Sequence, residues 1–90
     1  SKALFINYGE TEAFYAMQAM AQLRDAGIKV ELYPDAAKIG KQFTYADKRG
    51  IPYAVVVGET EMQNNQFGLK NLASGEQVMV DFVGLREGLL

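Results

Sequence analysis

Tyr53-Ala54-Val55-Val56-Val57 is an unbroken run of β-forming apolar residues, set between Pro52 and Gly58. A strand with one wet face alternates apolar and polar positions. A run that is apolar throughout reads as a strand buried on both faces, at the centre of a sheet. Such a strand needs cover on both sides, and the sequence on either flank supplies it.

Upstream, a helix is predicted over roughly Ala36 to Arg49, with Ile39, Phe43 and Ala46 as its buried stripe. Gly50 stops it and Pro52 forbids its continuation. Before it, Ile28 to Tyr33 reads as a strand that Pro34-Asp35 turns away. An earlier helix follows Gly9, with Thr11 as N-cap and Glu10 and Glu12 at its dipole-favoured start. Its buried stripe is Ala13, Ala16, Met17, Met20 and Leu23, and Gly27 ends it. Ala3 to Tyr8 is the first strand.

Downstream the pattern changes. Gln63-Asn64-Asn65 is turn chemistry. Gln66 to Leu72 alternates, with Phe67, Leu69 and Asn71 on one face and Gln66, Gly68, Lys70 and Leu72 on the other. Ser74-Gly75 turns the chain into a short strand, Gln77 to Val80. Asp81 then caps a last helix carrying Phe82, Leu85 and Leu89. The expected fold is α/β: a mixed five-stranded sheet, covered by three helices. Its first three strands are parallel with βαβ crossovers, and an antiparallel meander follows. Residues 1–90 form a single domain.

Composition narrows the function. The chain has neither cysteine nor histidine, which removes thiol chemistry, His-based triads and the commonest zinc ligands. No catalytic residue and no metal site is assigned. No apolar run approaches the roughly 20 residues needed to span a bilayer, and no secretory signal is present. The balance points to binding in the cytoplasm, away from membranes. A net charge of −2 argues against indiscriminate nucleic-acid binding, so any RNA contact needs a local basic patch.

Four groups of residues can carry chemistry. The first strand–helix turn, Asn7-Tyr8-Gly9-Glu10-Thr11, sits where α/β folds often bind phosphate. It has one glycine and an acidic residue in the anion's place, so it reads as a helix cap. Glu59 and Glu61 share a face if the central strand continues. They read as a solvated strand end, an acid/base pair, or acceptors for nucleobase amino groups. Lys38, Lys41, Tyr45 and Lys48 line one helical face, flanked by Gln42 and Arg49. That face is either ordinary solvated surface or a phosphate-holding patch with an aromatic to stack on a base. Lys70 either guards a strand edge or points a charge at a ligand on the sheet.

The sequence resembles the anticodon-binding domain at the C-terminal end of histidyl-tRNA synthetases. Lys41-Gln42-Phe43-Thr44-Tyr45-Ala46-Asp47-Lys48-Arg49-Gly50-Ile51-Pro52 is similar to their K-Q-x-x-x-A-D-K-x-G-I-P segment. Gly58-Glu59-Thr60-Glu61 is similar to G-E-x-E, and Leu69 to Gln77 to V-K-[DN]-L-x-[ST]-G-E-Q. Leu23-Arg24-Asp25-Ala26-Gly27-Ile28 matches L-R-x-x-G-I. The four segments run in order along nearly the whole chain.

The resemblance implies a module that binds the anticodon stem-loop of histidine tRNA and is itself non-catalytic. It belongs to a longer synthetase chain, expected to be a homodimer, whose separate catalytic domain charges the tRNA using ATP and Mg²⁺. No cofactor is expected in this domain. By motif position Glu61 and Lys70 face anticodon bases, with Glu59, Gln66 and Asn71 as neighbours. Lys41, Tyr45 and Lys48 would position the RNA backbone. Two departures stand out: Gln63-Asn64-Asn65 replaces the family's usual Asn-Gly type turn, and Ala36 replaces a polar residue of some threonine-type relatives. The competing expectation is an accessory or regulatory module without anticodon preference.

Overall fold

The order of the strands follows from which of them are apolar throughout. The computed structural model describes residues 1–90, with β1 (Ala3–Phe5), α1 (Glu10–Asp25), β2 (Val30–Leu32), α2 (Ile39–Lys48), β3 (Tyr53–Val56), α3 (Glu59–Gln63), β4 (Phe67–Asn71), β5 (Gln77–Val80) and α4 (Phe82–Leu89). The sheet order is β2-β1-β3-β4-β5, which puts the Tyr53–Val56 run in the middle. β1 pairs in parallel with both β2 and β3, while β3–β4 and β4–β5 are antiparallel. This is the mixed five-stranded sheet that the patterning predicts.

Alternation along the strands divides the core in two. Ala3, Phe5, Val55, Phe67 and Leu69 point to the side covered by α1 and α4, where fourteen buried residues form one cluster. Leu4, Ile6 and Ala54 point to the other side, where six buried residues pack beneath α2. The second layer is smaller because α2 is the only helix there, and it is packed over β1 and β3. The α2-side face of β4 and β5 is left uncovered.

The helices correct several expectations. α1 begins at Glu10, capped by Gly9 rather than Thr11. Gly9 has φ 139°, a conformation that favours glycine, and Asn7 Oδ1 accepts its N–H at 2.9 Å. The buried stripe of α1 is Ala13, Ala16, Ala19, Met20 and Leu23, whereas Met17 is 50% exposed. At 100° per residue Met17 lies roughly 95° from the centre of that stripe. α2 starts three residues later than Ala36, after the Pro34-Asp35 turn. Gln42 is as fully buried as Ala46, both at 0% exposure, although it is polar and flanks the lysines in sequence.

A fourth helix, α3, appears where three were expected. Gly58 ends β3, and the Glu61 carboxylate accepts the Gly58 N–H at 2.6 Å. This carboxylate-to-N-cap hydrogen bond is half of a capping box and turns Glu59–Gln63 into one helical turn. The central strand therefore does not continue. Glu59 and Glu61, two residues apart on a helix, point to different sides. At the other end of the chain Asp81 caps α4 as expected, accepting the Gly84 N–H at 2.8 Å.

Candidate nucleic-acid interface

Gly68 and Lys70 of β4, Gln66 just before it, and Gln77 and Met79 of β5 emerge on the uncovered sheet face. The register fixes this: Lys70 opposes Ala54 and Gln77, and Gly68 opposes Val56 and Met79. α3 stands at the rim, where the Gln66 N–H donates to Glu61 O at 2.9 Å. The structure thus brings Glu61 and Gln66 together. Lys70 is four strand residues further along, roughly 13 Å from Gln66, and its ammonium lies 4.6 Å from the centre of the Phe43 ring. Phe43, Thr44, Asp47, Lys70, Leu72 and Gly75 border a shallow depression of about 350 Å³ there.

Glu61 is half-buried and Glu59 is exposed. The bond to Gly58 occupies one Glu61 oxygen and orients the side chain, leaving the second oxygen to accept from a ligand. Tyr8, 38% exposed, stands near Glu61. Its phenol is held above the ordinary tyrosine value, first by burial and then by the Glu61 charge. The strand pattern had placed Tyr8 inside β1, but that strand ends at Phe5. An aromatic just past the end of a strand was the signal for it.

The remaining candidates lie elsewhere. Asn71 faces the opposite side of the sheet, bordering a depression with Tyr53, Leu69 and Val78. Its Oδ1 accepts from the N–H groups of Ala73 and Ser74 at 2.9 and 3.1 Å, so it holds the β4–β5 turn. Lys41 and Lys48 are exposed on the outward flank of α2, turned away from the Phe43 and Asp47 side that borders Lys70. Tyr45 is committed within the fold. Its hydroxyl donates to Glu31 Oε1 at 2.7 Å, its ring stands edge-on to Tyr33, and the Arg49 guanidinium lies 5.4 Å from its centre.

Hydrogen bonds from Ser1 and then Tyr45 hold the Glu31 carboxyl below its ordinary value. A lowered folded-state pKa contributes stability above the unfolded value, and that stability is lost as pH falls through the folded one. Tyr45→Phe is therefore expected to move the Glu31 titration upward and to shrink the acid-side loss. Carboxyl-carbon NMR titration measures this, and an unmoved Glu31 would refute the bond's role.

The buried polar pair Asn7 and Gln42 positions the β1–α1 loop. Gln42 Oε1 accepts the Asn7 N–H at 2.7 Å, and Gln42 Nε2 donates to Asn7 O and Ala37 O, both at 2.9 Å. Asn7 Nδ2 donates to Tyr33 O at 2.9 Å. These bonds tie down the turn that the sequence read as a helix cap. No three carboxylates converge closely enough to hold a metal ion.

A family model described as the anticodon binding domain matches residues 2–90. Histidine–tRNA ligase from Flavobacterium johnsoniae is 60% identical over 90 residues, covering 100% of this chain and 19% of the relative. The Christiangramia forsetii ligase is 56% identical over 89 residues, covering 99% and 20%. A solved histidyl-tRNA synthetase from a Nostoc species superposes with TM-score 0.93 at 34% identity, over 99% of this chain and 21% of that one. The RNA binding domain of a Cryptosporidium parvum threonyl-tRNA synthetase shares the fold, with TM-score 0.89 at 21% identity, over 98% of this chain and 22% of that one. The chain thus spans about a fifth of the length of these relatives. It belongs to the anticodon-binding domain family and is similar to the form of that domain found in histidine–tRNA ligases.

Proposed function

We propose that this chain recognises the anticodon stem-loop of histidine tRNA as the recognition part of a cytoplasmic histidine–tRNA ligase. The observation that carries this reading is the uncovered face of β4 and β5, with Glu61 and Gln66 at one end and Lys70 at the other. Whole-chain similarity to histidine–tRNA ligases favours it over an accessory module. ATP- and Mg²⁺-dependent charging, and dimerisation, belong to parts of the ligase outside these 90 residues.

The roughly 13 Å between Gln66 and Lys70 exceeds what one base edge can bridge, so the two ends meet different nucleotides. Glu61, held by its cap, accepts from an exocyclic amino group, and Lys70 donates to a base oxygen or nitrogen. To do so Lys70 leaves the Phe43 ring, a contact worth about 0.5–1 kcal/mol at an exposed site. A good base contact returns about 1–3 kcal/mol, so the exchange favours binding. Lys41 and Lys48 hold phosphates that flank the loop. With a net charge of −2, most of the selectivity has to come from the sheet face.

Lys70→Ala is expected to weaken stem-loop binding roughly tenfold. It should also reduce the slope of log K against log salt by about one unit. Fluorescence anisotropy with matched and scrambled anticodon loops reads both. Wild-type affinity in Lys70→Ala would refute the assigned site. Equal affinity of the wild-type chain for both loops would refute anticodon recognition.

A further inference from the structure

On the open face, one polar side chain has a seat made for it. Gln77 lies directly across from Lys70 in the β4–β5 ladder, so both emerge on the same side of the sheet. Its carboxamide leans diagonally over Gly68. A Cβ built at position 68 would stand 2.8 Å from Gln77 Nε2 and 3.4 Å from its Cδ, with Val56 O at 3.2 Å. The amide therefore lies in the room that any other residue at position 68 would fill. Gly68 has no positive φ, so the glycine serves close approach rather than backbone freedom.

The amide is also free. Asn7, Gln42 and Asn71 spend their carboxamides on the fold. The Gln77 carboxamide takes part in none of the chain's hydrogen bonds, and its residue is exposed. It rests between Lys70 and Met79, and Met79 is 48% exposed. A flat carboxamide with two donors and one acceptor, laid on a sheet beside an apolar side chain, presents the pattern that reads a base edge. Lys70 can only donate, and as a point charge it discriminates bases weakly.

We propose that Gln77, seated over Gly68, is a specificity-determining residue that hydrogen-bonds the edge of an anticodon base beside the one met by Lys70. This rests on the anticodon-binding reading above. Lys70 supplies charge to the contact, and Gln77 supplies discrimination at one anticodon position.

The test is anisotropy at fixed salt with the histidine stem-loop and loops carrying each single-base change in the anticodon. Gln77→Ala should bind the matched loop roughly tenfold more weakly. It should also lose discrimination at one anticodon position. Its salt slope should equal wild type, because no charge is removed; Lys70→Ala should lower the slope. Gly68→Ala, which keeps Gln77 but puts a methyl in the amide's place, should reproduce the loss at the same position. Gln77 is exposed, so Gln77→Ala should retain the wild-type melting curve. If Gln77→Ala matches the wild-type affinities across the whole panel while wild type discriminates, the Gln77 role is overturned and the anticodon reading stands. If wild type binds every loop equally, the anticodon reading falls and the Gln77 role with it.

Discussion

Gln42→Leu is expected to destabilise the chain by about 3 kcal/mol or more, although leucine is apolar and similar in size. Gln42 is fully buried and satisfies three backbone groups: the N–H and carbonyl of Asn7 and the carbonyl of Ala37. Leucine would leave the two buried Asn7 groups without a partner and take the donor from the half-buried Ala37 carbonyl, and each orphaned buried group costs about 1–3 kcal/mol. For a chain of this size that loss lowers Tm by roughly 12–24 °C, against a total stability of about 5–15 kcal/mol for typical domains. Lys41→Ala, one residue away and exposed, should stay within about 0.5 kcal/mol of wild type. Thermal denaturation followed by circular dichroism compares them. A Gln42→Leu melt that overlays wild type would show that the Asn7–Gln42 link contributes nothing to stability.

Leu85→Ala should cost about 2–5 kcal/mol, the range for emptying a fully buried leucine site. α4 has eight residues, too few to persist as a helix in water without tertiary packing. Leu85 and Leu89, 0% and 2% exposed, hold it against the sheet. The approach is close: a Cβ at Gly88 would stand 2.7 Å from Leu69 Cδ2. Urea unfolding should show a lower midpoint with an unchanged slope. Leu90→Ala, at a site 69% exposed, should leave the midpoint in place. Equal midpoints for the two variants would mean that α4 is not held through Leu85.

The architecture was legible wherever a single period ran uninterrupted. The all-apolar Tyr53–Val57 run placed the central strand, and the alternation in Gln66–Leu72 assigned the faces of β4. Asp81 marked the start of α4. The reading failed where a polar side chain took a structural part. Gln42 falls in the middle of α2's buried arc, yet its polarity put it with the lysines, and only a partner 35 residues away explains it. Glu61 read as a solvated strand end, an acid/base partner or a nucleobase acceptor, and its capping of a helical turn went unseen because its bond to the N–H of Gly58 is local chemistry that hydrophobic period does not register. The lysine stripe on α2 was visible, but its separation from Lys70 by the girth of the helix was not. That depends on which flank of α2 borders β4.

The two ends of the chain bear on how binding can be observed. Ser1, Lys2, Leu89 and Leu90 border one depression with Gly27, Ile28 and Lys29. They meet where the parallel strands begin, whereas Glu61 and Tyr8 stand where those strands finish. A fluorophore or affinity handle at either terminus would therefore ride far from Glu61 and Tyr8, at the end of the sheet where Lys70 and Gln77 stand level with Leu4 two and three strands across. Such a label would leave the Glu61 end of the site untouched and sense the stem-loop from its Lys70 end.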